Sequence, residues 1–313
     1  MSNVFVICLN AIIPICVIML LGYMTRRSGA LDEKMVLRMN GIVFRIFLPV
    51  MLFRTVYRSD LSAAVNLRLV LFTFACIAVM VLGSIGYALL AFRDRRKQGV
   101  IITALFCSNY AIVGLPVARA LAGEQGAATV AVLLALTTPV LSTLIIVVLE
   151  SFGGKKTNFR HLALDILKNP TIISCVLGVI FSGFDIQLPE MAEKIMDDLA
   201  NVATPLSLFL LGGFFRFDGL RESLRELVHA TVGRLIVLPA ILLTVSYLLG
   251  FRGSEFVALM CMFASSAAVL NFTMAVELGG DQKLSGNIVI ITSCLFSFTL
   301  YFWSVLFKFL GAW

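Results

Sequence analysis

The stretch FCSNYAIVGLPVARALAGEQ, Phe106 to Gln125, begins as a membrane-spanning helix and then interrupts itself. Ser108, Asn109 and Tyr110 break the apolar run, and Gly114 and Pro116 break it again. The chain repeats the stretch once, as FASSAAVLNFTMAVELGGDQ, Phe263 to Gln282. A shift of 157 positions pairs Phe106 with Phe263, Ser108 with Ser265 and Ala118 with Ala275, and lays LAGEQ (121–125) on LGGDQ (278–282). Two polar-interrupted hydrophobic segments at matching places in two halves are the best sequence pointer to a substrate site in a carrier.

Composition agrees with a membrane setting. Of 313 residues, 60% are hydrophobic and 14% charged, with a mean hydropathy of +0.99. A soluble domain is roughly 45–50% apolar and about 25% charged. The apolar runs are each about 20 residues long and are separated by short charged loops, as in a polytopic membrane protein. The net charge of +7 is read as loop Lys and Arg that set topology, and not as a nucleic-acid surface. Cys8, Cys16, Cys76, Cys107, Cys175, Cys261 and Cys294 all lie in apolar runs, with no CxxC pair, and read as small buried hydrophobes. His161 and His229 are the only histidines, so a His-ligated metal site is not expected, and no cofactor is. The first apolar run lacks a leading basic region and is taken as a span, not a cleaved signal peptide.

Ten spans are predicted, at about 4–24, 37–57, 68–92, 100–121, 127–150, 166–184, 196–216, 228–250, 255–278 and 286–309. Odd-numbered connections carry Arg26, Arg27, Lys34 and Arg38; Arg93, Arg95, Arg96 and Lys97; Lys155, Lys156, Arg160 and Lys168; Arg216, Arg221 and Arg225; and Lys283. Even-numbered ones carry only Arg58, Arg68, Lys194 and Arg252. The bias predicts that both termini face outside and the basic loops the cytosol. The halves, 1–152 and 153–313, repeat in order: Pro14 and Gly22 recur as Pro170 and Gly178, and Pro49 to Phe53 as Pro205 to Phe209, each 156 positions on. Five spans per half is an odd number, so the second half enters the membrane in the opposite sense.

A helix interrupted at mid-membrane leaves unpaired N–H groups at the start of its second piece, and these favour an anion. Breaks near Asn109–Pro116 and Ser266–Asn271 would bring two such ends together. Ser108, Asn109, Tyr110, Gly114, Pro116, Ser265, Ser266 and Asn271 are therefore the candidate substrate-binding residues. The alternative is that Gly114 and Pro116 only kink a helix whose polar side chains glue it to neighbours. Arg45, Arg119 and Arg234 enter the spans and are candidates for an electropositive anion path, with snorkelling as the plain alternative. No carboxylate sits in the middle of a span, which weakens strict proton or sodium coupling and argues against a transported cation. Gly83, Gly86, Gly212 and Gly213 read as close helix contacts.

Four segments together resemble the auxin efflux carrier family, in its bacterial members: Asn40 to Phe53 (NGIVFRIFLPVMLF), Asn109 to Pro116 (NYAIVGLP), Pro205 to Gly212 (PLSLFLLG) and Phe272 to Asp281 (FTMAVELGGD). The resemblance covers nearly the whole chain. It implies an all-α membrane protein of two inverted five-helix repeats, with helices 4 and 9 broken and crossing. It also implies a carboxylate such as malonate or malate bound at the crossing, elevator-like alternating access, and often a homodimer. Asn109 matches the crossover asparagine and Pro116 its nearby proline. Helix 9 departs from the pattern, with Ser266 where relatives tend to have proline and Asn271 one place late. The expectation is a carrier for a small organic anion in the lipid bilayer. A cation-coupled symporter of the bile-acid type is the second choice. A membrane enzyme is a remote third, because no HExxH, paired carboxylates or Ser/His pair appears at membrane depth.

Overall fold

The computed structural model describes residues 2–58, 66–153, 168–215 and 223–313. Lys155, Lys156, Arg160, His161, Arg216, Arg221 and the side chain of Cys8 lie outside the described set. The described chain is helical, its only pairing of extended backbone being the isolated bridge between Ser108 and Ala267. In order the helices are α1 (Ser2–Arg27), α2 (Glu33–Tyr57), α3 (Leu67–Ala91), α4 (Arg95–Phe106), α5 (Tyr110–Phe152), α6 (Pro170–Gly183), α7 (Glu190–Phe214), α8 (Leu224–Leu248), α9 (Gly253–Phe263), α10 (Val269–Glu277) and α11 (Gln282–Phe309). Six helices among the described residues are long and apolar enough to cross a membrane. Leu82, Leu90 and Ile241 are among many large apolar side chains left exposed on the outer surface, which suits a lipid solvent.

Local chemistry explains where helices start. Asp32, Asn66, Asp94, Asn169 and Asp281 each accept a hydrogen bond from a backbone N–H in the first turn that follows. Two prolines explain irregularities further in. Pro49 and Pro239 cannot accommodate the carbonyl four residues back, and each is preceded by one wide turn (Val43–Phe47 and Gly233–Val237). The turn closes on the carbonyl five residues back, Leu48 N–H to Val43 O and Leu238 N–H to Gly233 O.

Glycines set the tightest crossings. A Cβ on Gly22 of α1 would lie 1.9 Å from the carbonyl oxygen of Phe209 on α7, and one on Gly212 of α7 would lie 1.9 Å from that of Met19 on α1. The same kind of contact recurs between α6 and α2, where a Cβ on Gly178 would lie 3.1 Å from the Phe53 carbonyl oxygen. Gly22 and Gly178 are 156 positions apart, and so are Phe53 and Phe209.

The spans expected at 100–121 and 255–278 are each broken. The first break is Cys107–Asn109 between α4 and α5, the second 264–268 between α9 and α10. Pro116 lies inside a helix, nearly two turns past the break, so the interruption sits earlier than the proline suggested. The spans expected at 100–121 and 127–150 are separated by a backbone turn at Ala122 and Gly123, where Gly123 takes φ 65°. This turn divides α5 into a first arm, 110–121, and a second, 124–152. The second repeat tail turns likewise at Gly279, φ 81°.

Candidate functional site

The two breaks meet. Asn109 N–H donates to Ser266 O at 2.8 Å, and Ala268 N–H donates to Cys107 O at 3.2 Å. This short antiparallel ladder pins the start of α5 against the start of α10. The whole region is sequestered: Phe256 through Ala264 are fully buried. Backbone polar groups there need partners from the protein itself.

The carbonyl ends of the half-helices find them. Arg234 of α8 is fully buried, and its guanidinium makes three bonds: Nε to Ser265 O at 2.9 Å, Nη1 to Leu105 O at 2.8 Å and Nη2 to Met262 O at 3.0 Å. One cation thus caps the C-terminal ends of both α4 and α9, where the helix dipoles favour positive charge. The Asn271 amide Nδ2 adds longer bonds to Thr103 O and Cys107 O, both at 3.4 Å. Asn40 of α2, buried, donates to Thr273 O at 3.1 Å and to Glu277 Oε1 at 3.3 Å near the end of α10.

The amino ends are treated differently. Neither Asn109 before α5 nor Ala268 before α10 supplies a side-chain cap. Both ends open onto one cavity of about 100 Å³. Its wall comprises Cys107 to Tyr110 and Ala268 to Leu270 from the breaks, with Leu48, Met51 and Leu52 from α2. Leu134, Thr138, Leu141 and Ser142 of α5 and Thr204 and Ser207 of α7 complete it. No described wall residue is charged. Two buried polar atoms in this wall, Asn109 Nδ2 and Ser142 Oγ, have no hydrogen-bond partner. The Tyr110 hydroxyl is engaged with Thr137 Oγ1, and Ser207 Oγ donates to Ala203 O.

The sequence candidates therefore separate into groups. Ser108, Asn109 and Tyr110 line the cavity. Gly114 lies buried behind it, where a Cβ would sit 3.3 Å from Val130 Cγ1 and 3.6 Å from Cys261 Cβ; Pro116 is exposed. Ser265, Ser266 and Asn271 are buried beside the crossing and hold it together. Ser265 Oγ bonds to Cys261 O, and Ser293 Oγ lies 3.5 Å from Ser266 Oγ. Arg234 is a staple of the crossing, out of the cavity wall. Arg45 is exposed on α2, and Arg119 is exposed and paired with Glu124 at 2.8 Å, so neither reaches the cavity. The sequence reasoning did not single out Thr138, Ser142, Thr204 and Ser207 as wall residues. Their i,i+4 and i,i+3 spacings within apolar runs were the available signal.

Comparison with known proteins finds membrane transporters. An uncharacterised transporter of Methanothermobacter thermautotrophicus is 27% identical over 300 residues, covering 95% of this chain and 97% of its own. A second uncharacterised transporter, from Methanocaldococcus jannaschii, is 24% identical over 303 residues, 94% of this chain and 97% of its own. A protein of Rhizobium meliloti named as a candidate malonate transporter is 22% identical over 292 residues, 91% of each chain. All three relatives are named as transporters. The profile of the membrane transport protein family matches residues 7–304. The chain is a multi-pass membrane protein and belongs to this membrane transport protein family, the auxin efflux carrier family that its motifs resemble.

Proposed function

We propose that this transporter carries a small organic carboxylate, held at the crossing of its two broken helices and moved by alternating access. The observation that carries this is the pair of buried helix amino ends, at Tyr110 and Val269, that share one cavity with the unpartnered Asn109 Nδ2. Free backbone N–H groups, two helix dipoles and an amide donor all favour an anion. An uncharged wall suits an anion that must also leave, because a buried arginine would hold it tightly. The volume favours a small substrate: drug-sized pockets run from about 300 Å³ upward, and this one is about 100 Å³. The name of the Rhizobium meliloti relative points to malonate as the first compound to try. The uncharged wall also speaks against the cation-coupled symporter.

The two halves act as inverted repeats of five spans each, 1–152 and 153–313. The exchanged contacts of Gly22 with Phe209 and of Gly178 with Phe53 support this, since each links equivalent positions across the halves. In this scheme α1, α2, α6 and α7 form a scaffold. The crossing, with α3, α5, α8 and α11, moves against it, and the cavity lies where the two groups meet. The loop charges place both termini outside the inner membrane, and a homodimer through the scaffold completes the proposal.

The test is counterflow in proteoliposomes. Vesicles preloaded with unlabelled malonate are given labelled malonate, malate, succinate and, as controls, neutral and cationic analogues, with and without sodium and pH gradients. Saturable exchange restricted to carboxylates is expected. Exchange of cations with no carboxylate movement overturns the proposal.

A further inference from the structure

A second cavity lies on the far side of the crossing, between α3 and α8. It measures about 490 Å³, and its wall is apolar along α3 (Val79, Met80, Gly83) and α8 (Val232, Val237, Ile241). Its floor includes Leu105 and Gly233. Val79, Val232, Val237 and Ile241 are exposed, so the cavity is an open groove on the outer surface. Its two glycines leave it unfilled in different ways. A Cβ on Gly83 would meet nothing within 4 Å, whereas one on Gly233 would lie 2.7 Å from Leu105 Cδ2.

One end of the groove is polar and cationic. Tyr87 and His229 face each other there, with the Tyr87 hydroxyl bonded to His229 Nδ1. The Phe92 ring packs edge-on against His229, 5.6 Å between centroids, and Arg225 stands over Phe92 at 5.8 Å. Arg225 also donates to Ala91 O at 3.3 Å, which fixes it beside the groove mouth. Arg93 on the same short connection, and Arg95 and Arg96 in the first turn of α4, are also exposed, with the helix-capping Asp94 between them. Lys97 is already committed to Glu226 at 2.7 Å.

Length identifies the occupant. The groove runs from Tyr87 back to Val79, about 12 Å of helix, and from Val228 to Leu242, about 21 Å, at 1.5 Å per residue. One leaflet of a bilayer is roughly 15 Å deep, half of the hydrocarbon core. A helix of a second copy would need a groove crossing the full thickness. An amphiphile with its acyl chain in one leaflet and an anionic head at the basic end matches both length and charge.

We propose that this groove is a binding site for an anionic phospholipid of the inner leaflet. The acyl chain lies on Leu105 and Gly233, and the headgroup meets Arg225 and the Arg93 connection. The site is separate from the substrate cavity, although its floor residues adjoin the staple. Arg234 follows Gly233 in the chain and bonds to the Leu105 carbonyl. A bound chain thus braces the wide turn that carries the staple.

The experiment uses the full-length protein in phosphatidylcholine vesicles doped with phosphatidylglycerol that carries a photoactivatable acyl chain. A parallel preparation carries the same chain on phosphatidylcholine. Labelled peptides from α3 and α8 are expected, with the glycerol head preferred. Gly83→Phe, whose Cβ would meet nothing within 4 Å, puts a ring into the groove and lowers that labelling about tenfold, the effect of displacing two methylenes from apolar contact. Arg225→Gln leaves the acyl site intact and lowers the headgroup preference about fivefold. Both variants are expected to keep the wild-type melting temperature. Labelling indifferent to the headgroup, or labelling unchanged by Gly83→Phe, would each overturn the proposal.

Discussion

Replacing Arg234 by methionine tests the crossing itself. The apolar stem keeps its place, but three carbonyls (Leu105, Met262 and Ser265) lose their donor. They are buried, out of reach of bulk water. Each orphaned acceptor costs about 1–3 kcal/mol, so the three cost roughly 3–9 kcal/mol. A domain's whole stability is about 5–15 kcal/mol. Arg234→Met is therefore expected to lose most of its melting transition and to transport nothing. Arg234→Lys keeps the charge, but a single nitrogen cannot span carbonyls contributed by two helix ends. It is expected to melt between wild type and the methionine variant. The assay is thermal unfolding in detergent, followed by size-exclusion chromatography, with counterflow on whatever survives. If Arg234→Met melts within a few degrees of wild type and transports normally, the staple account is refuted.

Other expectations follow from single contacts. Gly212→Ala places a Cβ 1.9 Å from the Met19 carbonyl and should destabilise by about 1–3 kcal/mol or more, whereas Gly83→Ala meets nothing and should stabilise by up to about 1 kcal/mol; thermal melts of the two side by side check the sign. Ser142→Ala removes a hydroxyl that has no partner, so stability should hold while the apparent KM for the carboxylate rises about fivefold; an unchanged KM would remove Ser142 from the site. Cys16 on α1 and Cys294 on α11 are neighbours where these two helices pack together. In a chain that keeps only these two cysteines, oxidative cross-linking should stop transport reversibly, and full transport by the cross-linked protein would show that α1 and α11 do not move apart.

Much of this architecture was legible because membrane helices are written in long apolar runs and their exceptions stand out. The pairing of Pro14 and Gly22 with Pro170 and Gly178 read only as a repeat, and the structure adds that the two glycines make equivalent contacts, α1 on α7 and α6 on α2. The polar interruptions at Ser108–Tyr110 and Ser265–Ser266 marked the breaks. Their chemical roles were less legible, because a polar side chain in a span can serve either the substrate or an orphaned carbonyl. Asn109 faces the cavity, and Asn271 instead turns to Thr103 O and Cys107 O. Arg234 looked like a path residue because sequence gives its depth but not its partners. Pro116 looked like the point of interruption, yet a membrane helix can carry a proline where neighbouring groups or a local adjustment satisfy the carbonyl it frees. The positions of Pro49 and Pro239 gave no warning that the helix would widen ahead of them.

The crossover as a carboxylate site rests most directly on Asn109, whose amide donor is buried and unpartnered. The measurement is equilibrium binding of the carboxylate that gives counterflow, malonate first, to purified wild type and to Asn109→Ala. A lost hydrogen bond to a charged group weakens binding about tenfold or more. The melting temperature should not fall, since the Nδ2 that is removed donates to nothing in the protein. Equal affinity in a stably folded Asn109→Ala would contradict the account.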